Sequence, residues 1–236
     1  MKILLLGSQH GNELLGEVLY VHIRKNRSEL LPFVTYKTAN LRAKKQGVRF
    51  VESDLNRSYN GKNDTYEERR AKRLLRYITQ NSFDLVLDLH TTTCQQPPCL
   101  IVPSINSNIV QFMRACSIQN IVHMDHDIVT TSLIGVYPKA VSIEFNKDAL
   151  TTDVIDALCD DLQRFLDQNE AHATKTIYQI GDLLAKTELS ETQANKLVNF
   201  RKSSFGFYPV LVGENSYKKQ TAYLGFKAYN VHRYKV

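Results

Sequence analysis

The chain has 236 residues, 43% hydrophobic and 23% charged, enough to bury a sizeable core as one large domain or one domain with an appendage. Its net charge of +6, from 30 basic and 24 acidic residues, comes with no basic run in a nucleic-acid motif, so a solvated surface is read and no nucleic-acid partner is expected. No apolar stretch reaches the length of a membrane span, and the four cysteines lack the Cys-x-x-Cys spacing of a structural zinc site.

The run Lys2-Ile3-Leu4-Leu5-Leu6 predicts a buried β-strand and is too short for a signal-peptide core. It leads into Gly7-Ser8-Gln9-His10-Gly11-Asn12-Glu13, where a His and a Glu three positions apart at a strand-to-helix junction can share a face. Residues 13–26 have helical periodicity, with Leu15, Val18, Leu19 and His22 on one side and His22 as a packing residue. Residues 32–38 read as a strand. From about 40 to 64 the chain is polar and aperiodic, and long ordered loops of this kind tend to be functional. Within it lies Arg49-Phe50-Val51-Glu52-Ser53-Asp54-Leu55-Asn56-Arg57. A guanidinium fork there matches a carboxylate and Asn56 adds a donor, while the competing reading is a plain Asp54–Arg57 pair in a solvated loop.

Residues 65–80 predict a charged helix with Ala71, Leu74, Leu75 and Ile78 as its apolar stripe. A second buried-strand pattern, Phe83-Asp84-Leu85-Val86-Leu87-Asp88-Leu89-His90, ends on a histidine, with Asp88 on the same side as a partner for that imidazole. Residues 98–103 predict a strand, and 106–117 a helix with Ile109, Val110 and Met113 inward. His123-Met124-Asp125-His126-Asp127 has a spacing that could hold a metal, but reads as a polar turn. Ala140-Val141-Ser142-Ile143-Glu144-Phe145 is a strand pattern carrying one carboxylate. Residues 151–168 form a well-capped helix pattern with Ile155, Leu158, Leu162 and Phe165 inward. Composition shifts near 169–176, and alternating patterns over 207–212 and 222–231 suggest a small β-rich C-terminal domain over 171–236, after a main domain over 1–170. The fold class is α/β, a mixed central sheet with helices on both faces. Cys116 and Cys159 read as buried helical thiols, Cys94 and Cys99 flank Gln95-Gln96-Pro97-Pro98, and a reducing cytoplasm is expected.

His10, Glu13 and His90 together supply two imidazoles and a carboxylate at the ends of two apolar strands, where open α/β sheets place their sites. Three such ligands with a fourth position for water are what a hydrolytic zinc needs. Beside that water Glu144 is a candidate general base.

Four motifs in this order, His10-Gly11-Asn12-Glu13, Asp54-Leu55-Asn56-Arg57, Asp88-Leu89-His90-Thr91-Thr92 and Ile143-Glu144, resemble those of the aspartoacylase and succinylglutamate desuccinylase family, over roughly residues 2–145. The resemblance implies a zinc amidohydrolase with a carboxypeptidase-like fold and one Zn2+ per chain on His10, Glu13 and His90. It implies Glu144 as general base and acid, and Arg49 polarising the scissile carbonyl. Asn56 and Arg57 would hold the substrate carboxylate, joined by Tyr217 from the C-terminal part. The expected partner is a small carboxylate-bearing amide, with no nucleic acid or membrane, and a homo-oligomer is left open. Two departures stand out. Where aspartoacylases carry an arginine for a second carboxylate, this chain has Thr130-Thr131-Ser132-Leu133, with Ser132 as the counterpart, which argues against N-acetylaspartate as substrate. Where relatives have a glycine-containing segment after the catalytic Glu, it has Phe145-Asn146-Lys147. The alternatives are a zinc carboxypeptidase acting on short peptides or peptidoglycan peptides, through a cleft left open by the short C-terminal part, and a catalytically silent protein on the same scaffold.

Overall fold

A computed structural model describes residues 1–171 and 174–235, so the composition shift read at 169–176 lies partly outside the described residues. In chain order the first half comprises β1 (Ile3–Gly7), α1 (Leu15–Asn26), β2 (Val34–Thr38), α2 (Leu41–Gln46), α3 (Tyr66–Asn81), β3 (Leu85–Thr92) and β4 (Cys99–Val102). There follow α4 (Ser107–Ala115), β5 (Asn120–His123), α5 (His126–Val129), α6 (Leu133–Val136), β6 (Ala140–Asn146) and α7 (Thr152–Asp167). The C-terminal part holds β7 (Thr174–Ala185), α8 (Glu191–Ala194), β8 (Tyr208–Val210), α9 (Asn215–Gln220) and β9 (Tyr223–Lys235).

The strands form one mixed sheet in the order β2-β1-β3-β6-β4-β5-β7-β9-β8. β1, β2, β3 and β6 run parallel, and β4 turns antiparallel to β6. β1 lies inside the sheet, between β2 and β3, and its apolar run serves two cores at once. Ile3 and Leu5 pack with Leu15, Leu19, Phe112 and Phe165 on one face, and Leu4 and Leu6 with Leu74 and Ile78 on the other. Alternation of side chains along a strand buried on both faces requires this. The mixed sheet with helices on both faces agrees with the α/β class read from the sequence. The three C-terminal strands extend the same sheet, β7 pairing parallel to β5 and antiparallel to β9. Among the described residues no helix is long and apolar enough to cross a membrane.

Three sequence readings change. α1 begins at Leu15, so its buried stripe is Leu15, Leu19 and Ile23, and Val18 is 46% exposed. The polar stretch 40–64 is not all loop: Asn40 caps α2 by accepting from the Ala43 amide, and Gly47 at φ 66° ends it. A six-residue helix has too few turns to show a period. His123, read within a turn, closes β5 and hydrogen-bonds Gln179 on β7.

Candidate metal centre

β1 and β3 are neighbours in parallel, with Gly7 opposite Leu89, so the segments that follow β1 and end β3 emerge side by side. The loop after β1 is shaped by Gly11, where an added Cβ would lie 2.1 Å from the Ala43 carbonyl carbon. No side chain fits there, and the Gly11 amide donates to Arg49 O at 3.0 Å, joining this loop to the arginine loop. The result brings His10, Glu13 and His90 together, each buried, with donor atoms within 4.8 Å of one another.

Both histidines turn the same ring nitrogen to one carboxylate. His10 Nδ1 lies 2.7 Å from Glu13 Oε1, and His90 Nδ1 3.0 Å from Glu13 Oε2. Each remote nitrogen faces a further carboxylate: His10 Nε2 is 3.1 Å from Asp54 Oδ1, and His90 Nε2 is 3.0 Å from Asp88 Oδ2. Carboxylates in that position fix the ring orientation of metal-binding histidines and raise their basicity. Asp54 is in turn held by the Asn56 amide at 2.9 Å, and Asp88 by Ser142 Oγ at 3.1 Å.

The charge balance points the same way. Burial opposes the charged form of His10, but Glu13 and Asp54 outweigh it and raise its pKa. Burial likewise opposes charge on His90, and Asp88 with Glu13 carries it well above the ordinary value. Glu13, despite burial, is held far below the usual carboxylate range by His10 and His90. The pocket is thus built for positive charge, which protons or a divalent cation can supply. Two imidazoles and one carboxylate, with a further carboxylate near each remote nitrogen, fit a zinc ion with an open fourth position.

Glu144 stands on β6 directly opposite His90 of β3. Desolvation, with Glu13 adding to it, pushes its carboxyl up to about 7 against the opposing pull of His90. Its Oε2 is buried and without a protein partner among the described residues. Arg49 lies 3.1 Å from Asp54 Oδ2 and 3.6 Å from Glu13 Oε1, so Asp54 pairs with Arg49 rather than Arg57. Asn56, Arg57, Ser132, Glu144 and Tyr217 line one small pocket. The histidines of the 123–127 segment are not part of this cluster.

Three carboxylates hold these parts in place through contacts that the sequence did not show. Asp54 bridges His10 and Arg49, as described. Glu67 on α3, fully buried, accepts from the amides of Val51, Glu52 and Ser53 and from Asn40 Nδ2, which pins the arginine loop. Glu214 accepts from Thr92 Oγ1, Thr93 N and Thr93 Oγ1 with one oxygen and from Ser216 N with the other, fastening α9 and Tyr217 to the end of β3. In sequence Glu67 looked like one more charge on a charged helix; only a carboxylate at a buried phase of that helix could have hinted at it. Glu67→Ala leaves the buried Asn40 side chain without its acceptor, at about 1–3 kcal/mol, and frees three amides of a partly exposed loop that water can reach. A loss of about 1–3 kcal/mol in denaturant unfolding is expected, and an unchanged midpoint would show that the loop holds itself.

Residues 1–151 match the family model for the succinylglutamate desuccinylase/aspartoacylase catalytic domain. A curated relative, rat (Rattus norvegicus) aspartoacylase, is 30% identical over 196 residues, 70% of this chain and 62% of that protein. The chain therefore spans less than two thirds of the length of that relative. Among solved structures, murine aminoacylase 3 superposes with a TM-score of 0.70 at 21% identity, covering 99% of this chain and 96% of that one. A succinylglutamate desuccinylase from Chromobacterium violaceum does so with 0.72 at 17% identity, covering 100% and 85%. At these identities the structures show a shared fold.

Proposed function

The chain belongs to the succinylglutamate desuccinylase/aspartoacylase family, and from that membership we propose that it is a zinc-dependent hydrolase of the amide bond in small N-acyl amino acids. The observation that carries this reading is the placing of Glu144 opposite His90 across β3 and β6, beside a buried His10-Glu13-His90 cluster.

Zinc held by His10, Glu13 and His90 would supply a Lewis acid and bring the pKa of a water toward about 7. Glu144 takes a proton from the attacking water as a C–O bond forms at the amide carbon. The same carboxyl gives that proton to the leaving amine as the C–N bond breaks, since microscopic reversibility lets one group serve as base and then acid. Arg49, oriented by Asp54, faces the oxyanion, where preorganised charge contributes most. Asn56 and Arg57 hold the substrate carboxylate and so fix the amide for attack. Tyr217 completes the pocket from α9.

A carboxypeptidase needs an open cleft. Leu211, Tyr217 and Phe226, all from the C-terminal part, line this pocket together with Glu144, which supports the smaller substrate. The test is zinc analysis of the purified protein followed by assay of N-acyl amino acids against short peptides. Arg57→Ala should raise KM by about tenfold or more, the effect of losing a hydrogen bond to a charged group. Faster cleavage of peptides than of N-acyl amino acids would overturn the deacylase reading.

A further inference from the structure

We infer that the group borne beside the substrate's carboxylate is a neutral side chain and not an acidic one; this rests on the deacylase reading above. The pocket that holds Asn56 and Arg57 also holds Ile101, Met124, Ile128, Val129, Leu211 and Phe226. Whatever shares a carbon with the bound carboxylate therefore meets hydrocarbon on one part of this wall.

Of the lining polar side chains Ser132 and Ser142 are already paired, which leaves Asn56, Arg57, Glu144 and Tyr217 to meet a substrate. Arg57 is the one cation among the lining residues. Ser132 Oγ donates to Val129 O at 2.8 Å, and Ser142 Oγ to Asp88 Oδ2 at 3.1 Å. Arg49 is engaged by Asp54 and Glu13. Once Arg57 and Asn56 hold one carboxylate, a second would be desolvated without a counter-charge, with Glu144 on the same wall. The adjoining groove, which shares Arg57, Ile128 and Phe226, is edged by Asp127 and Asp182. Lys227, opposite Asp182 across β7 and β9, is taken up by Glu188 at 2.9 Å. Among the described residues, relief from that side is absent too.

The experiment measures kcat/KM of the zinc-loaded protein for the N-acetyl derivatives of alanine, valine, leucine, phenylalanine, aspartate and glutamate. Binding of the same six to zinc-loaded Glu144→Gln is measured by calorimetry. The neutral compounds should lead the acidic ones by about tenfold or more in both series. Ile128→Arg, which puts a cation on the pocket wall at a half-buried position of α5, should raise kcat/KM for N-acetylglutamate relative to N-acetylvaline. Absence of turnover with the neutral compounds still binding best would fail the deacylase reading and support the pocket assignment. Best binding by N-acetylaspartate or N-acetylglutamate would overturn the assignment, whatever the turnover.

Discussion

Replacing His10 and His90 together with alanine is expected to remove the metal and reduce turnover to the uncatalysed level. The two rings present Nδ1 to the same carboxylate, at 2.7 and 3.0 Å, so no ligand set of three survives their loss. The buried Glu13 would then keep only Arg49, at 3.6 Å, and the Thr91 amide, at 3.2 Å. An uncompensated buried charge costs about 3–5 kcal/mol, so the variant should also melt earlier than the metal-free wild type. The wild-type protein should bind about one zinc per chain. Because Asp54, Asp88 and Glu13 raise the pKa of both histidines, zinc uptake near neutrality should release protons. Titration calorimetry in buffers of different ionisation enthalpy measures that release. Full zinc occupancy in the double variant would place the metal elsewhere, with His123 and His126 the first residues to check.

What the sequence made legible follows from what is local. β1 is a continuous apolar run and β3 and β6 are rich in apolar β-formers, a composition that makes strands buried on both faces whichever neighbours they find. The helix after Thr65 is legible too, since its capping box with Glu68 and its stripe of Ala71, Leu74 and Ile78 lie within one segment. His10, Glu13 and His90 were legible because each sits at the end or just past the end of such a strand. The C-terminal strands were visible as β patterns, but not as a continuation of the main sheet. Pairing of β7 with β5 joins Thr176 to Asn120 across 56 positions, and period-two alternation carries no information about a partner.

The groups that hold the site in place were the least legible. Glu67 and Glu214 act through backbone amides at distant positions, and an amide leaves no mark in the sequence. Asp54 was visible as a motif residue, yet its contact with His10 depends on a loop folded back over 44 positions. Tyr217, placed by resemblance alone, shares a pocket with Arg57 and Glu144 because Glu214 fastens its helix to Thr92 and Thr93. Catalytic side chains of this fold announce themselves by chemistry and strand position, while their supports are read only from contacts.

Glu144→Gln separates chemistry from structure most cleanly. The replacement is nearly isosteric and neutral, and Glu144 is not among the residues that would hold the metal, so fold and zinc content should stay as in the wild type. Desolvation pushes the Glu144 carboxyl up to about 7, which means that ionising it in the folded protein is unfavourable. A carboxyl whose folded pKa is raised above its unfolded value destabilises the fold progressively as pH climbs above the unfolded value near 4.5. Glutamine removes that penalty, so at about pH 8 the variant should melt no earlier than the wild type. Turnover should nevertheless fall by about 10²–10⁴-fold, the contribution of general acid–base catalysis, because an amide can neither take the proton from water nor return it to the amine. KM should change far less, since the proposed mechanism gives the substrate carboxylate to Asn56 and Arg57 and not to Glu144. A large drop in kcat beside an equal or higher melting temperature is a pattern that structural damage cannot produce. Turnover close to wild type, with zinc bound and the fold intact, would pass the proton-transfer role to another group and detach it from β6.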